Sequence, residues 1–360
     1  MSTQLRAGSA VCVRVPGSSA NLGPGFDSVG LALGLWDRYR AGISEQPGLV
    51  VTRGEVDNPD VPDGEDHLVV ATMRRTWQEL GVPQPPGLIL QCANTVAQGR
   101  GLGSSAAAIV AGVGLACALV EVASADADAD AAARHRAGED PVRATGQDGA
   151  ARAAVPLDLP FVNNLASLLE GHPDNASASV YGGMTLSWVD PEESSESSGP
   201  PARRLPQVHT IHLPLHPDLE AVVCVPTEQL LTAQARAVLP EQISHRAAAL
   251  NSARLGLLVY AVSARLDLLV PATQEWLHQE QRRECLPAAM DLVDQLRAAG
   301  HAAVISGAGP SVLVLTSRAQ VEAVTAAVPP GWKVLCPGIS ASGLSAERVT
   351  FNVLLRESDV

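Results

Sequence analysis

Residues 99–108, GRGLGSSAAA, set three glycines on alternate positions and two serines directly ahead of a run of alanines. Gly99, Gly101 and Gly103 allow backbone angles and close approaches that a Cβ forbids. The alanines favour a helix, and Ser104 or Ser105 can cap it. Free N–H groups then point out of a helix N-terminus, where the dipole favours an anion such as a nucleotide triphosphate. This is not a Walker loop, which needs Gly-Lys-Ser/Thr: the only lysine in the chain is Lys333.

Three more segments gather polar residues among glycines and prolines: VPGSSANLGPGFDSVGLAL at 15–33, EGHPDNASASVYGG at 170–183 and SGAGPSVL at 306–313. Together with GLGSSAA, and in the same order, they resemble the motifs of the GHMP kinase superfamily and, at 15–33 in particular, of its homoserine kinases. Departures are Ala97 where the family has Pro and His67 where it has Asn. The pair Asn163-Asn164 has no reading from the sequence.

The resemblance implies phosphoryl transfer from ATP to the hydroxyl of L-homoserine, in threonine biosynthesis, with Mg²⁺ on the phosphates. The ATP cradle would be Gly99, Arg100, Gly101, Leu102, Gly103, Ser104, Ser105, Ala106 and Ala107, and the metal would sit on Ser105 and Glu170. Asn21, Asp27, His172, Asn175, Thr232, Arg236 and Arg282 would line the substrate pocket. Asp27 suits an ammonium. Arg236, four residues after Thr232 on one helical face, and Arg282 suit a carboxylate, which a guanidinium fork matches and an ammonium does not. Asn175 would orient the reacting hydroxyl. Asp174 is the alternative to a transfer in which the γ-phosphate itself takes the proton. Two other readings are a mevalonate-type kinase of the same superfamily and a non-catalytic metabolite sensor. An Asp opposite an ammonium argues against the first, and retention of Ser105, Glu170 and Asn175 against the second.

The elements that must position these residues alternate without a regular βαβ repeat, which predicts an α+β fold. Strands are expected at 10–15, in VGLALGLWDRYRAGI, at 87–96, at 219–226, around Ala308-Gly309-Pro310 and at the closing RVTFNVLLR, with a loop at 16–28. Helices are expected at 65–80, from Ser104 onward and across 228–299. Residues 123–154 and 191–206 are low in complexity and predicted to be flexible insertions. A chain of 360 residues suggests two domains. The resemblance makes them an N-terminal ribosomal S5 domain 2-like unit over 1–185 and a C-terminal ferredoxin-like unit over 186–360, in a family where homodimers are common.

Composition narrows the partners. A net charge of −13 argues against nucleic acid. Six scattered cysteines without CxxC spacing read as reduced, buried thiols of a cytoplasmic protein, and the N-terminus has no signal-peptide pattern. The uncharged stretch Gly101–Val120 is long enough to span a bilayer, but its Ala and Gly content predicts a buried helix, not a membrane segment.

Overall fold

The computed structural model describes residues 4–54, 61–136, 153–190, 207–230 and 232–355. Two sheets organise them. The larger, seven-stranded sheet runs β11-β1-β2-β4-β3, with β5 on β2 and β6 on β5. Its strands are β1 (Ala10–Ala20), β2 (Val29–Ser44), β3 (Gly48–Arg53), β4 (Gly87–Ala93), β5 (Met184–Val189), β6 (Val208–Leu213) and β11 (Ser345–Arg348). The smaller is antiparallel, in the order β10-β7-β9-β8: β7 is Leu219–Val225, β8 Ala302–Ile305, β9 Val312–Ser317 and β10 Lys333–Leu335. The helices are α1 (Leu68–Glu79), α2 (Ser104–Arg136), α3 (Leu159–Glu170), α4 (Pro173–Tyr181), α5 (Thr232–Ala237), α6 (His245–Ala264), α7 (Leu269–Ala272), α8 (Pro287–Ala298) and α9 (Val321–Ala327). The expected α+β architecture is the observed one.

The scarcity of aromatics leaves the cores to aliphatic residues, with Trp77 the largest buried side chain. One cluster joins α1, α2 and α3 to the inner face of the large sheet through Trp77, Met73, Val110, Leu115 and Leu165. A second fills the space between the sheets with Leu22, Leu31, Leu102, Val223 and Leu313, and so fixes the glycine loop against both. The third seats α8 and α9 on the far face of the small sheet. Among the described residues, two helices are long and apolar enough to cross a membrane by length and composition. For α2, 83% of that window is buried in the core, as its Ala and Gly content predicts. In α6, Asn251, Leu258, Ala261 and Val262 are buried.

Four local expectations are revised. Strand β1 continues to Ala20, past the Gly and Pro read as the start of a loop, with a register shift between Pro16 and Ser18 absorbing them. Helix α2 runs to Arg136, into the segment read as an insertion. Alanine favours helix, and the charges that mimic a solvated linker form ion pairs: Arg348 with Asp126 at 2.7 Å and Arg6 with Asp130 at 2.6 Å. The rest of that insertion, 137–152, and all of 191–206 lie outside the described residues. At the C-terminus the strand is Ser345–Arg348, and Phe351–Leu355 forms a 3₁₀ turn that lays Phe351 and Leu354 on Gly42 of β2. Finally, a cut at 185/186 falls inside β5, and both β6 and β11 belong to the first sheet. The chain thus leaves the large sheet after β6 and returns to it as β11.

Candidate active site

A cleft of about 380 Å³ opens between the two sheets. On one wall the glycine loop leads into α2. Positive φ at Gly101 and Gly103 lets the loop lie against its neighbours: a Cβ on Gly101 would stand 2.2 Å from the Ser306 carbonyl oxygen, and one on Gly103 2.2 Å from Ser18 Oγ. Ser306 Oγ donates to the Gly101 carbonyl at 2.6 Å, tying the SGAGPS loop to this wall. Gly103 C=O accepts the first helical bond, from Ala107 N–H. The N–H groups of Ser104, Ser105 and Ala106 therefore precede the hydrogen-bond ladder. Gly99, Gly101, Gly103, Ser104 and Ser105 line the cleft. Leu102, Ala106 and Ala107 are buried in the core, so their side chains serve packing. The Arg100 side chain turns away, donating to the carbonyls of Pro226 (2.9 Å) and Thr227 (2.6 Å).

The turn between α3 and α4 forms the back of the cleft. Asp158 caps α3, Gly171 ends it in a left-handed conformation, His172 is extended and Pro173 starts α4. This break aims Glu170, His172, Asp174 and Asn175 at one space. Ser105 Oγ donates to Glu170 Oε2 at 2.9 Å, so the two expected metal ligands are in contact across 65 residues of chain. Burial pushes the Glu170 pKa up, against the pull of His172 and of the Ser105 bond. Asp174 Oδ1 meets His172 Nδ1 at 2.5 Å and accepts the Asn175 N–H at 2.6 Å, while its buried Oδ2 has no partner among the described residues. Burial alone would depress the His172 pKa, but the Asp174 carboxylate outweighs it and the net shift is upward. Ser18 Oγ donates to Asn175 Oδ1 at 2.9 Å, which turns the amide so that Nδ2 is left as a donor.

Opposite the glycine wall lie the charged residues. Asp27 pairs with Arg236 in two bonds, Oδ1 to Nη2 at 2.5 Å and Oδ2 to Nη1 at 3.3 Å. Asn21 holds that loop from within: its Oδ1 accepts the Asp27 N–H at 3.1 Å and its Nδ2 donates to the Gly307 carbonyl at 3.0 Å. Arg282 is buried, with Nε donating to the Ala235 carbonyl at 2.9 Å and Nη1 facing His278 and Gly307 at 3.4 Å. Its Nη2 has no hydrogen bond among the described residues. Thr232 and Arg236, one turn apart on α5, both line the cleft.

The structure therefore brings together all the predicted substrate and metal residues, and leaves the side chains of Arg100, Leu102, Ala106 and Ala107 outside the cleft. Sequence reasoning did not single out Ser18, Ser306 or His278. The first two lie in motifs that were visible, and a closer reading of their hydroxyls would have found them. It also missed Asp37, buried at the end of the β2–β4 pair, which accepts from Thr95 N–H (2.7 Å) and Val96 N–H (3.0 Å) and so anchors the approach to the glycine loop. Asn163 and Asn164 gain a reading. Asn163 bonds Thr210 and Ser177, and Asn164 accepts from Val208 N–H, so the pair pins β6 beside the helix that ends in Glu170.

Comparison with known proteins agrees with this geometry. The sequence pattern of the GHMP kinases N terminal domain matches residues 67–151, and that of the GHMP kinases C terminal domain matches 262–333. The homoserine kinase of Cutibacterium acnes is 40% identical over 318 residues, covering 88% of this chain and 92% of that protein. That of Streptomyces avermitilis is 39% identical, covering 94% and 95%. Among solved structures, homoserine kinase from Cytophaga hutchinsonii superposes with a TM-score of 0.70 at 24% identity, over 94% of this chain and 97% of that one. Phosphomevalonate kinase from Streptococcus pneumoniae does so with 0.56 at 14%, over 95% and 100%, which shows the shared fold. Identity at this level along nearly the whole of both chains makes this protein a member of the homoserine kinase family, within the GHMP kinases.

Proposed function

We propose that this enzyme transfers the γ-phosphoryl group of ATP to the side-chain hydroxyl of L-homoserine, giving O-phospho-L-homoserine, a reaction of threonine biosynthesis. The observation that carries the reading is the Asp27–Arg236 pair, set beside Arg282 in the same cleft as the glycine loop. A zwitterionic amino acid offers an ammonium to one member and a carboxylate to the other, so each charge of the pair has a replacement partner. Carboxylate oxygens of Asp27 and Asp174 lie within 4.8 Å of each other, an electron-rich patch that suits the ammonium. Arg236 and the spare Nη2 of Arg282 suit the carboxylate. The reacting hydroxyl is then directed at Asn175 Nδ2 and the phosphates.

The side chains of Ser105 and Glu170 fit Mg²⁺, which favours one or two protein oxygens alongside phosphate and water. When bound, the ion neutralises charge on the β- and γ-phosphates. The N–H groups at the start of α2 would hold the phosphates, and Asn175, oriented by Ser18, would hold the hydroxyl in line with them. Asp174 Oδ1 is already engaged by His172 and Asn175 N–H and its unpartnered Oδ2 is buried, which favours its acting through placement and charge, with the phosphate taking the hydroxyl proton. Positioning alone removes several kcal/mol of barrier in such arrangements.

A coupled assay of ADP release with homoserine, serine, threonine and mevalonate tests the assignment. Homoserine should exceed mevalonate in kcat/KM by about a hundredfold or more, since a site built around charged groups rejects a ligand that leaves them unpaired. It should exceed serine and threonine because their hydroxyl is one carbon nearer the held charges and falls short of the phosphate. Equal turnover of mevalonate would overturn it.

A further inference from the structure

The buried imidazole of His278 lies beneath the substrate loop and does not line the cleft itself. Its ring stacks on Phe26, centroids 5.1 Å apart and planes 22° from parallel. Nε2 is 2.9 Å from the Gly23 carbonyl, which can only accept, so Nε2 carries the proton. Nδ1 is then an acceptor, and Arg282 Nη1 faces it at 3.4 Å. The neighbouring Glu275, its side chain 2% exposed, accepts the N–H groups of Leu277, His278 and Gln279, which fixes the backbone from which the imidazole projects. A closed circuit results: Asp27 N–H to Asn21, Asn21 to the Gly307 carbonyl, that carbonyl to Arg282, Arg282 to His278, and His278 back to Gly23. Both guanidinium groups of the pocket, Arg236 and Arg282, stand 5.8 Å from the ring of Phe26, the residue on which the imidazole is stacked.

We infer that His278 is a positioning residue of the substrate pocket: its neutral imidazole couples the Gly23–Asp27 loop to Arg282, and thereby sets the spacing between the groups that read the two charges of the amino acid. The inference rests on the proposed role of Arg282 at the carboxylate. Arg282 is buried among carbonyls on a short 3₁₀ turn, and without an acceptor on its His278 side nothing else among the described residues holds Nη1 except the Gly307 carbonyl. Burial pushes the His278 pKa down, in keeping with the neutral tautomer that both contacts require.

Three variants separate coupling from mere packing. His278→Phe keeps the stack on Phe26 and removes both polar contacts. His278→Asn retains an acceptor near the Nδ1 position, and His278→Gln a donor near Nε2. The Phe variant should raise the homoserine KM roughly 10- to 100-fold, the range for losing a hydrogen bond to a charged group, with the ATP KM within about threefold of wild type. It should also lose much of the preference for homoserine over the corresponding amino alcohol, which lacks the carboxylate, and Asn should restore part of that preference. An unchanged homoserine KM in His278→Phe, or homoserine and ATP KM values rising together, overturns the inference. If His278→Phe does not fold, the Asn and Gln pair carries the same test: Asn should discriminate better than Gln, and equal discrimination overturns it. Arg282→Ala serves as the reference. Should Arg282→Ala keep the full preference for the carboxylate, the reading of the pocket fails. Should it lose the preference while His278→Phe keeps it, only the coupling fails.

Discussion

Along residues 99–105 the groups aimed into the cleft are backbone N–H groups and two hydroxyls, whereas the facing wall uses charged side chains drawn from residues 21–27, 172–174, 236 and 282. The glycine wall, proposed to hold the phosphates, is assembled within seven residues. Its amide donors are fixed by the course of the backbone and cannot be removed by changing a side chain. On the facing wall every charge is removable, and the central pair is drawn from distant parts of the chain: Asp27 and Arg236 are 209 residues apart. A triphosphate is common to a whole superfamily and suits a local, backbone-built cradle. The amino acid is what one family must distinguish, and a wall of separable side chains can be retuned without disturbing the cradle.

Substitutions can break or sharpen this contrast. The largest effect is expected where the walls meet. Glu170→Gln keeps the shape and the contact to Ser105 but removes the charge that suits Mg²⁺, and should lower kcat by about a hundredfold or more. Single-turnover rates across a Mg²⁺ titration check this, and near wild-type turnover would remove Glu170 from the metal site. On the backbone wall, Gly101→Ala adds a Cβ 2.2 Å from the Ser306 carbonyl at a φ of +69°, and should cost on the order of 3 kcal/mol in kcat/KM for ATP while homoserine binding measured by calorimetry stays within a few-fold. If both ligands weaken together, the walls are not independent.

Across the cleft, Arg236→Ala should cost roughly 2–4 kcal/mol in kcat/KM for homoserine with the ATP KM unchanged, and Arg236→Lys should recover only part. Steady-state kinetics against homoserine and its amide decide it, since a variant that still rejects the amide is not missing its carboxylate receptor. Ser18→Ala is milder. It frees the Asn175 amide to turn, and kcat should fall by about tenfold with both KM values held, the scale of one net hydrogen bond. The smallest change is expected for Arg100→Ala. Despite its place in the glycine loop, this cation is bound to the Pro226 and Thr227 carbonyls, so the ATP KM should stay within about threefold of wild type. A much larger rise, diminishing with added salt, would mean that Arg100 does meet the phosphates.

What could be read from the residues alone follows the same division. The glycine loop, the helix after it and the apolar run of β2 are patterns of neighbours, and they appear where the sequence puts them. The pairing of Asp27 with Arg236 was invisible, because both were assigned to the ligand and nothing local says that they meet each other. His278 carries no signal beyond its place four residues before Arg282, and only the fold brings Gly23 and Phe26 to it. The misreading of 123–136 has a different cause. Alternating Ala and Asp resemble a solvated linker in composition, yet alanine favours helix and two arginines from the chain's ends supply counter-charges. Asn163 and Asn164 were opaque because their partners are on α4 and, across the segment 191–206, on β6.

Strand β11 also bears on the order in which the molecule can be made. Strand β1 lies between β2 and β11, and the 3₁₀ turn at 351–355 covers Gly42 while Gln91 Nε2 donates to the Leu354 carbonyl. A nascent chain leaving the ribosome can pair β1 with β2 early, but the other edge of β1 stays open until β11 has emerged, after the whole second sheet. The glycine loop rests between the two sheets, so its final seating waits for the second sheet to form. A chain truncated ahead of β11 thus carries every motif of the cleft and still presents an unpaired strand edge to its neighbours.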